Sequence, residues 1–145
     1  MAGKTAYLEN AILKLIFNGT AIANIADNAS ASPATSYWIS LHTADPTDTP
    51  ATEQTQSETS YTGYARMELD RNGTDWVVTG SSVSPGANVD FGECTAGSAT
   101  ITHAGIGTAS SGNGKLLFSG VISPSIVVAV GVVPRIKSTS TITES

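Results

Sequence analysis

One cysteine, few charges and no apolar run long enough to cross a membrane set the first limits on this 145-residue chain. Cys94 has no second cysteine to pair with, so the fold must rest on apolar packing and hydrogen bonds whatever the redox compartment. Charged residues make up 13% of the chain, against about 25% in an ordinary globular protein. Ser, Thr and Gly are abundant instead, and the surface is expected to be neutral and polar. Seven basic residues, scattered from Lys4 to Lys137, are outnumbered by twelve acidic ones, for a formal net charge of −5. No basic stripe is available to follow a phosphate backbone, which speaks against direct nucleic-acid binding. The stretch from Leu8 to Phe17 is broken by Glu9, Asn10 and Lys14. It is too short and too polar for a membrane span, and it lacks the unbroken apolar centre of a secretory signal, so it is expected to belong to the mature protein with no membrane contact.

Catalytic signatures are missing as well. No Gly-x-Ser-x-Gly elbow, phosphate-binding loop or dinucleotide fingerprint occurs, and the glycines from Gly105 to Gly114 join strands rather than a strand to a helix. The two histidines, His42 and His103, have no carboxylate or cysteine at metal-site spacing, so a paired-histidine site would need the fold to join them. His42, Asp45 and Asp48 could offer three ligands, but their Asp-Pro and Asp-Thr-Pro setting reads more simply as turn chemistry. The carboxylates fall mostly in loops or on solvent faces, without the convergence that glycoside cleavage needs. The expectation is a non-enzyme with no cofactor and no metal.

The residues present describe a mainly β chain. Leu8, Ile12, Leu15 and Ile16 recur at helical spacing and Asn18-Gly19 supplies a C-terminal stop, which predicts one helix over about 5–17. Its apolar stripe must be covered, by its own domain or by a neighbour. Tyr37 to His42 is aromatic and β-branched enough for a central strand. A long exposed loop over about 43–60 follows, almost without apolar residues. Ala65, Met67 and Leu69 then alternate with charged residues, and Asn72-Gly73 predicts a hairpin turn into Trp76 to Thr79. Short strands are predicted at Val89 to Phe91, Ala99 to Ile106 and Lys115 to Gly120. The apolar run Ile126 to Val133 suits a strand covered on both faces, in the core or in a subunit interface. After Pro134, the stretch from Arg135 through Ile142 returns to polar/apolar alternation, as expected of an edge strand or an arm that reaches a neighbour. The predicted architecture is a single domain over 1–145, an antiparallel β-sandwich or jelly roll of about eight strands over 37–142 with one N-terminal helix.

Four segments carry a resemblance. Tyr7-Leu-Glu-Asn-Ala-Ile-Leu13, Tyr37-Trp-Ile-Ser-Leu-His-Thr-Ala-Asp-Pro-Thr-Asp48, Tyr64-Ala-Arg66 and His103-Ala-Gly-Ile106 together resemble, in order and over most of the chain, a family of small tailed-phage virion proteins. Members are labelled either tail-fibre-like or capsid cement proteins, and the Leu-His-Thr-Ala-Asp-Pro string is the most specific element. The resemblance implies a structural virion component. Its leading form is a capsid decoration protein on the outer shell, a jelly-roll homo-oligomer, often a trimer, that bridges major capsid proteins. A tail or fibre component is the alternative, and a carbohydrate-binding module using Tyr61, Tyr64 or Trp76 is a third. A weakly charged, net-negative surface suits an outer face, where acidic groups meet no DNA. The proposed contact surfaces are Leu8, Ile12 and Leu15 on the helix, Asp45, Asp48, Tyr61 and Tyr64 around the long loop, and Val128, Val130 and Ile136 near the C-terminus.

Overall fold

A computed structural model describes residues 6–22, 34–46 and 53–143. One helix, α1 (Ala6–Asn18), is followed by nine strands: β1 (Ser36–His42), β2 (Met67–Asp70), β3 (Trp76–Thr79), β4 (Ser82–Pro85), β5 (Val89–Asp90), β6 (Ala99–Gly107), β7 (Leu116–Val128), β8 (Arg135–Ile136) and β9 (Ile142–Thr143). Among the described residues the protein is mainly β, with antiparallel sheets and a single helix, and this make-up fits the expected β-sandwich with nine strands in place of about eight. The chain divides into two compact units. One comprises Met1–Thr35, Asp70–Val89 and Ile136–Ser145, the other Ser36–Leu69 and Asp90–Arg135.

In the first unit, α1 packs on β3 and β4, and β9 completes an antiparallel sheet in the order β3-β4-β9. The helix is therefore covered within its own unit. Its fully buried positions are Leu13 and Phe17, one turn apart, and the Phe17 ring lies 4.7 Å from that of Trp76, centroid to centroid. Ile12, Leu15 and Ile16, read from the sequence as the buried stripe, sit half-buried at its flanks. Asn18 Nδ2 donates to the Trp76 carbonyl at 2.9 Å, and the Arg71 guanidinium donates to the Leu15 and Ile16 carbonyls. The last turn of α1 has no basic residue of its own, so Arg71 supplies from a distance the cation that unpaired helix carbonyls favour.

The Asn72-Gly73 hairpin does not form. β2 neighbours β1, whereas β3 pairs with β4, so the two strands flanking Asn-Gly lie in different sheets. Asn72 Oδ1 instead accepts from the amides of Thr74 and Asp75 at 2.8 and 2.9 Å, and Asp75 Oδ2 accepts from the Asp70 amide. Side-chain capping of this kind builds a wider turn in place of a two-residue one. The tight hairpin is β3-β4, closed by Gly80-Ser81 between Thr79 and its partner Ser82. Gly80 has φ +61° at the first turn position, the requirement of a type II′ turn.

The second unit is built on a four-stranded sheet, β2-β1-β6-β7. β1 is internal and buried along almost its whole length, as its aromatic and β-branched residues predict. It runs antiparallel to β6, from Trp38 opposite Gly107 to His42 opposite His103. Tyr37, Ile39, Leu41, Tyr61, Phe91, Cys94, Ile101, Ile106 and Val128 form the apolar core. β7 pairs with β6 over Leu116–Val121 and Ile126–Val128, with register shifts opposite Thr102 and between Ile106 and Gly107. The apolar run from Ile126 is not one covered strand. It ends β7 at the buried Val128, then turns through Val130 and Gly131, where the Val132 amide donates to the Ala129 carbonyl. Gly131 breaks the run, and Val127 and Val130 are each 69% exposed.

Candidate functional site

Three of the four segments that carry the family resemblance, in their described residues, meet around one polar knot in the second unit. Arg66, just before β2, is its centre. Its Nε donates to Glu58 Oε1 and its Nη2 to Glu58 Oε2, both at 2.7 Å, and Nη1 and Nη2 donate to the carbonyls of Ala109 and Gly112, each at 2.9 Å. The Tyr64 hydroxyl donates to Glu58 Oε1 at 2.7 Å and accepts from the Leu41 amide at 3.1 Å. Gln54, fully buried, donates from Nε2 to the Trp38 carbonyl and accepts at Oε1 from the Ala109 amide. The segment 53–58 is thus tied to β1 on one side and to the β6–β7 loop on the other, and its main chain continues the tie: Gln54 N–H to Gly114 O at 2.8 Å, Thr43 N–H to Ser57 O and Thr59 N–H to Leu41 O, each at 2.9 Å.

Glycines make the room. A Cβ on Gly107 would stand 2.0 Å from Gln54 Cδ, and one on Gly105 would stand 2.8 Å from His42 Nε2. Alternate glycines on one face of β6 therefore let Gln54 and His42 lie directly on the sheet. Burial pushes the Tyr64 phenol well above its ordinary range. The hydrogen bonds from Arg66 to Glu58 hold the guanidinium protonated.

His42 is fully buried. Its Nδ1 lies 2.8 Å from the Gln56 carbonyl, which can only accept, so Nδ1 carries the proton and Nε2 accepts from the Ser40 hydroxyl at 2.8 Å. Burial lowers the His42 pKa. A hydroxyl, an imidazole and an orienting acceptor in sequence are the parts of a nucleophile relay, but Ser40 and His42 are both 0% exposed, so no substrate carbonyl can reach the hydroxyl. The strand pairing does join His42 to His103. Both His42 nitrogens are already engaged, His103 Nδ1 pairs with Thr102 Oγ1 at 2.9 Å, and among the described residues no group of three metal-ligating side chains occurs.

The surface of the unit is most unusual along β7. This strand ends the sheet order, and among the described residues no strand lies beyond it. Leu117, Val121 and Val127 on it, and Val130 and Val133 just after it, are exposed. No charged residue occurs between Lys115 and Arg135.

Of the contact surfaces named from sequence, Tyr61 is buried with its hydroxyl on the Gly92 carbonyl at 3.0 Å, and Tyr64 is half-buried with its hydroxyl in the knot. Trp76 is 1% exposed. Tyr61 and Trp76 each belong to the interior of their own unit and Tyr64 is committed to the knot, so these rings form no exposed carbohydrate platform. Val128 and Ile136 are buried, Val130 is exposed, Asp45 is half-buried, and Ile12 and Leu15 flank the buried helix face. Leu8 lies in α1, while Asp48 falls outside the described residues. Sequence reasoning missed Gln54 and Glu58, which were read as part of an exposed loop.

No curated protein matches the chain. A family model described as "Podophage GP4 fiber I protein gp80" matches residues 3–143. That description supports a tailed-phage virion protein and does not extend to capsid cement. The match covers nearly the whole chain, and the protein belongs to this family of phage fibre proteins.

Proposed function

We propose that this protein is a structural component of the fibre apparatus on a tailed-phage particle and works by assembly. The family match over residues 3–143 carries this reading. The internal use of the family-like residues supports it. Arg66 and Tyr64 spend their polar groups on Glu58 and the main chain, and His42 spends its own on Ser40 and the Gln56 carbonyl, which makes these residues a buried scaffold. A structural protein also gains from many repeated weak contacts, so no single copy requires a high-affinity site. Capsid decoration, expected from the sequence, receives no support from the fibre description. Partners are a second copy of the chain and neighbouring virion proteins.

The deciding measurement is the copy number in purified particles, by quantitative mass spectrometry against the major capsid protein, with antibody labelling in electron microscopy. Few copies with label at the tail support the fibre reading. Copies near one per capsid protein, with label over the shell, would overturn it.

A further inference from the structure

We propose that β7 is the strand through which copies of this chain associate with one another. The inference rests on the reading of the protein as an assembling virion component. Exposed sheet edges offer a row of backbone donors and acceptors that only another extended strand can match, and proteins ordinarily blunt such edges with charges or keep them very short. β7 is neither. It has 13 residues, and not one is charged. The uncharged stretch extends from Leu116 to Pro134 in a chain that carries nineteen charged residues, twelve acidic and seven basic. Five of the seven large apolar side chains exposed among the described residues, Leu117, Val121, Val127, Val130 and Val133, fall inside it.

The charge pattern selects the occupant. At a net charge of −5, two copies repel wherever their acidic surfaces face, and that repulsion is least where neither carries charge. A strand without charges, laid against its own copy, buries none, whereas a basic partner attracted to this acidic protein would have no anion to meet on β7. A second copy also satisfies the edge in the chemistry it requires, main chain to main chain, with Val121 and Leu117 of each strand covering the other. The stretch from Ser119, opposite Gly105, to Val121, opposite His103, is the segment in regular register that can accept a further strand, because the next register shift falls between Val121 and Ile126.

The test compares the full chain with Val121→Lys by size-exclusion chromatography with light scattering over a range of concentrations. Val121 is 73% exposed, so the variant is expected to fold, which circular dichroism verifies. Val77→Lys, on β3 in the other unit and also exposed, serves as the control for charge alone. The inference expects self-association of the wild type and of Val77→Lys, and a monomer for Val121→Lys. A second readout is Ser119→Cys in a Cys94→Ala background, which should form an oxidised dimer that Val121→Lys suppresses. Association of Val121→Lys equal to wild type would overturn the inference, as would a wild type that stays monomeric. Either result leaves the fibre reading to the virion copy number, which is measured independently.

Discussion

Arg66 and Glu58 face each other fork to fork, Nε on Oε1 and Nη2 on Oε2, with the Arg66 side chain only 3% exposed. Removing one partner leaves the other charge buried without its counter-charge, at a cost of about 3–5 kcal/mol. Glu58→Ala is therefore expected to lower the urea midpoint severely. Arg66→Met together with Glu58→Gln should lose less than the sum of the single losses, which a double-mutant cycle in urea measures.

His42 predicts acid sensitivity. Burial places its folded-state pKa below the ordinary value of 6.5, so the unfolded chain binds the extra proton first. The stability that His42 contributes is complete above about pH 6.5 and declines as pH falls toward the lowered folded value. Glu58, Arg66 and His103 act on it from neighbouring positions. His42→Gln should melt below wild type at pH 7.5, and the gap should narrow by pH 5. A gap that stays constant across this range would show that His42 is not held neutral.

Gly107 and Gln54 occupy one volume. Gly107→Ala puts a methyl where Gln54 lies, and overpacking of this kind costs about 1–3 kcal/mol. Shortening Gln54 to Ala should relieve much of that cost. Thermal unfolding of the two single variants and the double variant is expected to show this coupling, and strict additivity would count against it.

Val130→Asp tests the turn. Had this residue stood in a covered strand, a carboxylate there would abolish folding. At 69% exposure beside Gly131, the change should alter monomer stability by no more than about 0.5 kcal/mol, as read from chemical unfolding at low protein concentration.

The sequence was most legible where one pattern dominated. Tyr37 to Ile39 and Leu41 announce an internal strand because nothing nearby competes with that reading. On α1, apolar residues occupy neighbouring positions nearly around the helix, so Leu8, Ile12, Leu15 and Ile16 made as good a stripe as the one Leu13 and Phe17 form. Asn72 misled because its side chain serves the amides that follow it, a role no dipeptide pattern distinguishes from a left-handed turn. The polar knot was hidden for a different reason. Gln54 and Glu58 sit among Thr and Ser, and their burial depends on Arg66, Gly107 and Gly114 arriving from elsewhere. Its trace in the sequence was the glycine pair Gly105 and Gly107, since alternate glycines in a strand mark a close approach of something else.

The division into units has a consequence for how the protein is made. The first unit is assembled from three separated segments, and its sheet takes β9 as the neighbour of β4, pairing Val83 with Ile142. Everything in the second unit is synthesised between the first and last of those segments. On the ribosome, α1 and the β3-β4 hairpin must therefore wait for residues translated long after them, and pairing across such a separation is slow to close. The chain completes this sheet only once residues 142–143 have been made, so copies not yet translated that far lack β9 and the strand that β4 pairs with.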